Sequence, residues 1–174
     1  MPSVIQPMKT DGSHLGVGIL CLRNRQRTRA VNLRLLRRIA QRLLAEHFHP
    51  QHFELCVHLV AAPEMARVNE TFLHHPGSTD VITFNHADPS QTERLHGELF
   101  ICLDDAVAQA KQFRTTWQCE LTRYLIHGLL HLRGHDDLAP APRRAMKREE
   151  NRLLRELARR FPLSDLARKQ KLTR

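Results

Sequence analysis

The sequence predicts an α+β fold: a single domain with a small, mixed, four-stranded sheet covered by about five helices. Three observations carry this expectation. Four short apolar runs of strand length are interspersed with five segments of helical period. At 174 residues the chain is one domain's worth, long enough to bury a core without staples. The best helical segment, residues 116–133, carries His127 and His131 on one face, because four steps of 100° return almost to the start.

In chain order, residues 1–14 hold Pro2, Pro7, Gly12 and Ser13 without a period and read as a flexible arm. The domain is expected over residues 15–161. Gly16–Leu22 is a strand. Val31–His47 sets Leu35, Leu36, Ile39, Ala40, Leu43 and Leu44 against Arg34, Arg37, Arg38 and Arg42, an amphipathic helix closed by His49-Pro50. Phe53, Leu55, Val57 and Leu59 alternate as in a strand. Pro63 opens a second helix with Met65, Val68, Asn69, Phe72 and Leu73 at helical spacing. Val81–Phe84 is β-branched and aromatic, hence strand, and residues 85–96 form a polar loop. Gly97–Leu103 is the fourth strand. Asp104 and Asp105 should cap the helix that follows, to about Arg114. After the histidine helix, Ala139–Pro142 breaks the chain before a last helix with Met146, Leu153, Leu154 and Leu157 as its apolar stripe. Residues 162–174 read as a basic tail.

Composition narrows the function classes. Hydrophobic content of 41% and charged content of 26% are ordinary for a globular protein. There is no apolar run near 18 residues and no N-terminal hydrophobic leader, so the expectation is a cytoplasmic protein without membrane contact. Cys21, Cys56, Cys102 and Cys119 show no C-x-x-C spacing and fit small apolar residues in a reducing compartment. The formal charge of +9 is unevenly spread. Residues 1–45 hold nine Lys/Arg and one acid, residues 46–140 six and thirteen, and residues 141–174 twelve and four. An acidic centre between basic flanks suits a metal site beside a phosphate-bearing partner, for which RNA is the economical choice.

The chemistry concentrates in His127-Gly-Leu-Leu-His131-Leu-Arg-Gly134-His135-Asp136-Asp137. Gly134 supplies the left-handed turn that commonly ends a helix, after which the chain can double back with a third ligand for the ion held by His127 and His131. His135, Asp136 and Asp137 are the candidates within reach.

These residues also carry a resemblance. HGLLHLRGHDD is similar to the H-G-x-L-H-L-x-G-Y/F-D-H signature of the YbeY family, bacterial metal-dependent endoribonucleases that mature ribosomal RNA. Upstream, Asn69–Phe72 resembles the family's L-N-x-x-Y/F, Ser78–Phe84 its P/S-T-D-V-L-S-F, and His96–Ile101 its L-G-D-I-x-I, all in the family's order. The resemblance implies a single-strand-specific, zinc-dependent endoribonuclease acting in 16S rRNA 3′-end maturation and ribosome quality control. It further implies one Zn²⁺ per chain and contact with the small ribosomal subunit, with its proteins or an assembly GTPase as further partners. Three departures touch the site: Asp137 stands where the family has its third histidine ligand, His135 where it has an aromatic, and Leu73 where it usually has an arginine.

The ligand set expected is therefore His127, His131 and Asp137. Asp137 lies at the spacing at which both this family and the metzincin proteases, whose metal helix is similar, place the third ligand. His135 and Asp136, on the return turn, are the candidates for proton transfer, and Asp136 could equally orient the turn. A zinc protease needs a glutamate directly after the first histidine as general base; Gly128 cannot take a proton, which removes that reading. Arg67, Arg94 and Arg133 are candidates to replace the cation lost at Leu73. Two further readings stay open: an rRNA-binding assembly factor with a structural metal and little nuclease activity, and a metal-dependent hydrolase of small phosphates.

Overall fold

The computed structural model describes residues 15–168; the arm expected over 1–14 lies outside the described residues. Among the described residues, strands β1 (Val17–Asn24), β2 (His52–Val60), β3 (Val81–Asn85) and β4 (Arg94–Cys102) form one sheet in the order β1-β2-β4-β3. β1 runs parallel to β2 and β2 to β4, whereas β3 is antiparallel to β4. The sheet is mixed because the chain crosses over through helices α1 (Leu33–Leu43) and α2 (Ala62–Leu73) but passes from β3 to β4 through a short loop. Helices α3 (Leu103–Phe113), α4 (Trp117–Leu132) and α5 (Pro140–Arg160) complete the domain.

The main core lies between one sheet face and the helices. Leu55, Val57 and Leu59 of β2 and Leu95, Leu99 and Ile101 of β4 meet Leu36, Ile39 and Leu43 of α1 and Leu121, Leu125 and Leu129 of α4, all essentially inaccessible. α2 covers part of the opposite face, where Met65 joins Val60, Ile82 and Cys102 in a smaller cluster. That face also carries Cys21 and Cys56 as register partners on β1 and β2, both half-buried; only Cys102 is fully buried as expected.

Several boundaries shift, each for a visible reason. α1 begins at Leu33 because Val31 is bridged to Ala167, and the Asn32 side chain accepts the Leu35 N–H as the cap. Its expected last turn widens into a π-turn over Leu44–Phe48, ended by His49 at φ 40°. β4 starts at Arg94 because Arg94–His96 pair with His52–Glu54, so the polar loop is shorter than its composition suggests. Asp104 and Asp105 do not cap α3. They lie inside its first turn, where Asp104 accepts from Thr28 Oγ1 and the Ala62 N–H while Asp105 accepts from Ser78 Oγ.

Residues 162–168 are not the start of a tail. Leu163–Leu166 form a 3₁₀ turn with Leu163 and Leu166 buried, and the Asn32 and Arg168 N–H groups bond to Leu166 and Ala30 carbonyls. The two leucines close the core at the foot of α1, which a charge count could not reveal. Residues 169–174 lie outside the described residues.

Candidate metal centre

Helix α4 fixes the two histidines. Thr116 Oγ1 accepts the Cys119 N–H and starts it, and its apolar face packs against β4. The approach is close: a Cβ on Gly128 would meet Leu99 Cδ2 at 2.7 Å. The residue after the first histidine is thus a packing contact, consistent with the absence of a base there. Gly134, at φ 85°, ends the helix. Its N–H bonds to the His131 carbonyl and the His135 N–H to the Leu130 carbonyl, the two bonds of a Schellman turn.

That turn swings Asp137 back over the helix. The Nε2 atoms of His127 and His131 lie 3.1 Å apart, and Asp137 carboxylate oxygens lie 3.9 and 3.8 Å from them. Among the described residues the three form one of two His/carboxylate groups whose ligand atoms converge within 4.8 Å. The other, Glu46, His47 and Glu156, has its carboxylates occupied by Arg42 and Arg160.

The far side of each imidazole is equally specified. His127 Nδ1–H donates to Glu150 Oε2 at 3.1 Å, and His131 Nδ1–H donates to the His135 carbonyl at 3.0 Å. A carboxylate and a carbonyl only accept, so each Nδ1 carries a proton, and in the neutral imidazoles both Nε2 lone pairs face inward. Two imidazole nitrogens at 3.1 Å with a carboxylate beside them form a donor set that can share a cation. The spacing of the two nitrogens is close to the roughly 3.3 Å that tetrahedral zinc with 2.0–2.1 Å bonds would impose. The residues present therefore fit a divalent metal.

Glu150 is a site residue that the sequence pattern alone does not single out. It is buried on α5, with its other oxygen held by Arg123 Nη1 at 2.7 Å. Burial pushes its pKa up, but the hydrogen bonds and charges of His127 and Arg123 outweigh that and leave it below the usual carboxylate value. Burial likewise disfavours charged His127, yet the hydrogen bond and charge of Glu150, with the charges of Asp80 and Asp137, leave its pKa above the ordinary imidazole value. A signal was present: in the stripe Met146, Glu150, Leu153, Leu157, a carboxylate occupies an inward position.

The other site candidates fall outside the converging group. Asp136 Oδ1 accepts the Leu138 N–H, so its carboxylate shapes the turn. His135 offers its carbonyl to His131, while its exposed side chain lines a shallow groove with Arg148, Arg152 and Arg155. Leu73 ends α2, 46% exposed. Of its proposed substitutes, Arg133 is spent on the Thr92 and Phe48 carbonyls and ties the π-turn to the β3–β4 loop; Arg67 and Arg94 are exposed. Arg143, at the head of the basic last segment, donates from Nε to the Asp137 carbonyl at 2.8 Å and so puts a cation against the ligand turn. The arginines opposite the apolar stripe of α1 are partly engaged: Arg37 donates to the Leu20 carbonyl, Arg38 lies over the Phe161 ring, and Arg42 pairs with Glu46.

The chain is similar to several known proteins. A family model described as Endoribonuclease YbeY matches residues 21–158. A Bacteroides thetaiotaomicron protein named Endoribonuclease YbeY is 42% identical over 91 residues, covering 52% of this chain and 64% of the relative. One of the same name from Chlorobium luteolum is 40% identical over 93 residues, covering 53% and 66%. The matched stretch thus spans somewhat under two thirds of these relatives. The solution structure of TM1509 from Thermotoga maritima superposes with a TM-score of 0.57 at 20% identity, over 90% of this chain and 99% of that one, which shows a shared fold. Because the matching region runs from β1 through the histidine helix to the part of α5 that holds Glu150, the chain belongs to the YbeY family.

Proposed function

We propose that this protein is a zinc-dependent endoribonuclease that cleaves single-stranded RNA, with 16S rRNA 3′-end maturation and ribosome quality control as its setting. The observation that carries the reading is the inward-facing pair of Nε2 lone pairs on His127 and His131, each fixed from behind, with Asp137 as third donor. Two imidazoles and a carboxylate suit zinc. The family relatives bear the name endoribonuclease, and Gly128 leaves a peptidase without its base.

When bound, the ion would polarise a phosphoryl oxygen and draw a nucleophilic oxygen toward deprotonation. The chain's own residues supply the rest. Glu150 and the His135 carbonyl hold the imidazoles in the coordinating tautomer. Arg143, at the Asp137 carbonyl, is placed to balance phosphate charge where Leu73 cannot. His135, on the turn beside the ligands, is the group to take or return a proton, while Asp136 holds the turn through the Leu138 N–H. A groove of about 770 Å³ lined by His135, Arg148 and Arg155, with Arg152 paired to Glu149 in its wall, gives RNA an approach to this turn. No helix among the described residues is long and apolar enough to cross a membrane.

Leu73 favours a second reading, an rRNA-binding assembly factor whose metal is structural. Incubating metal-loaded protein with labelled single-stranded RNA, beside His131→Ala, separates the two. The nuclease reading predicts cleavage that the substitution abolishes. Undiminished RNA binding with no cleavage would leave the assembly factor.

A further inference from the structure

A second groove, of about 640 Å³, lies at the opposite end of α4 from the metal-binding turn. Its volume falls in the range of roughly 300–1,000 Å³ typical of small-ligand sites. Arg27, Arg29 and Arg168 line it together with Trp117, Gln26 and Thr28, and no carboxylate is among its lining residues. The carboxylate in contact with the groove wall, Asp104, has both oxygens committed, one to Thr28 Oγ1 and one to the Ala62 N–H. Among the described residues, Arg27 and Arg168 take part in none of the ion pairs, whereas Arg152 and Arg160 of α5 do.

The wall is held rigidly. Gln26, 5% exposed, accepts the Arg29 N–H and donates to Asn24 Oδ1 and the Arg29 carbonyl. The Arg168 N–H bonds to the Ala30 carbonyl, and Val31 is bridged to Ala167. Three arginines thus stem from a braced backbone before any ligand arrives, around a half-buried indole whose inner side packs on the core.

We infer that this groove is a binding subsite for single-stranded RNA, in which a nucleobase stacks on Trp117 while Arg27, Arg29 and Arg168 grip the flanking phosphates. The inference rests on the RNA reading above and adds a second contact point to it. Guanidiniums match phosphate oxygens bidentately, and an indole accepts any base face. A single strand is required, since a base paired in a duplex cannot reach the indole. Trp117 precedes His127 by ten residues of helix, about 15 Å along the axis, so the subsite holds substrate without touching the chemistry.

Trp117 is the sole tryptophan of the chain, which makes its fluorescence a local probe. Titrating the metal-loaded full-length protein with a short single-stranded oligoribonucleotide should quench it saturably, and less as salt rises. Arg27→Glu with Arg168→Glu should weaken the quench at least tenfold and raise KM for RNA cleavage, leaving kcat and metal content unchanged. Trp117→Phe should weaken binding of the same oligonucleotide, labelled and followed by fluorescence polarisation. Unchanged fluorescence at RNA concentrations that saturate cleavage would overturn the subsite and leave the nuclease reading intact. Absence of both quench and cleavage would remove both. A quench by mononucleotide at equal affinity would make this a nucleotide site and overturn the RNA assignment.

Discussion

Glu150 accepts a hydrogen bond from His127 Nδ1 at 3.1 Å, across the packed faces of α5 and α4. This one contact joins helix packing to the chemistry of the site, because it decides which nitrogen of His127 is free. Glu150→Gln keeps an acceptor oxygen but removes the charge. Metal affinity should fall about 10–100-fold, the range found for partners behind ligating histidines, while the far-ultraviolet circular dichroism is retained. Unchanged affinity would mean that Glu150 serves only Arg123.

The same pair sets a pH dependence in the metal-free protein. His127 is raised above 6.5, so its contribution to stability is full below that value and is lost as pH rises through the folded-state pKa. Glu150 is depressed below 4.5, so its contribution is full above that value and is lost as pH falls through its own folded pKa. Metal-free protein should therefore show its best pair-dependent stability between the two, read as Tm against pH, and Glu150→Gln should flatten that dependence. Metal uptake must displace the His127 proton, so affinity should climb with pH through the same range.

Gly97 and Gly134 support the site from two sides. A Cβ on Gly97 would lie 2.5 Å from both the Phe84 carbonyl oxygen and Leu132 Cδ2, and the backbone carbonyl cannot move aside as a side chain can. Gly97→Ala should cost about 1–3 kcal/mol in denaturant unfolding. Gly134→Ala meets nothing within 4 Å but is strained at φ 85°, for about 1–2 kcal/mol. It should also loosen metal binding, because the turn it forms delivers both Asp137 and the carbonyl that orients His131.

What can be read from the chain follows a physical divide. His127 and His131 are legible because helical period places residues four apart on one face, whereas Asp137 is singled out from His135 and Asp136 by the spacing that the family resemblance implies. Glu150 acts through a contact between helices, and local period says nothing about which residue of α5 meets His127; Arg143 acts through a bond to the Asp137 carbonyl in the turn before its own helix. The arginines mislead for a related reason. A guanidinium counted as free charge in the sequence is often consumed by carbonyls, as Arg133 is by Thr92 and Phe48, and Arg37 by Leu20. Reversing Arg37 and Arg38 would therefore probe the fold, whereas the exposed Arg144 and Arg148 of α5 are better tests of RNA contact. The same blindness makes Leu163 and Leu166 look like part of a charged tail, since their partners lie on α1 and α4.

Salt provides a separate check on the RNA reading. Arg144→Glu with Arg148→Glu should weaken single-stranded RNA binding and reduce the dependence of log affinity on log salt by about 0.7 for each phosphate that is no longer neutralised. Metal content should not change. An unaltered slope would make α5 a solvated face.

The third ligand is the point on which the proposed function depends most. Asp137 in place of an imidazole lowers the charge of the site by one and should make its ion a weaker Lewis acid, so Asp137→His should retain metal and move the pH optimum of cleavage downward. The most direct measurement is a crystal structure of the zinc-loaded protein, with the ion located by anomalous scattering at the zinc edge. The predicted result is one zinc held by His127 Nε2, His131 Nε2 and an Asp137 oxygen, the last at about 2.0–2.2 Å. Zinc bound by the His135 imidazole with Asp137 turned to solvent would contradict it.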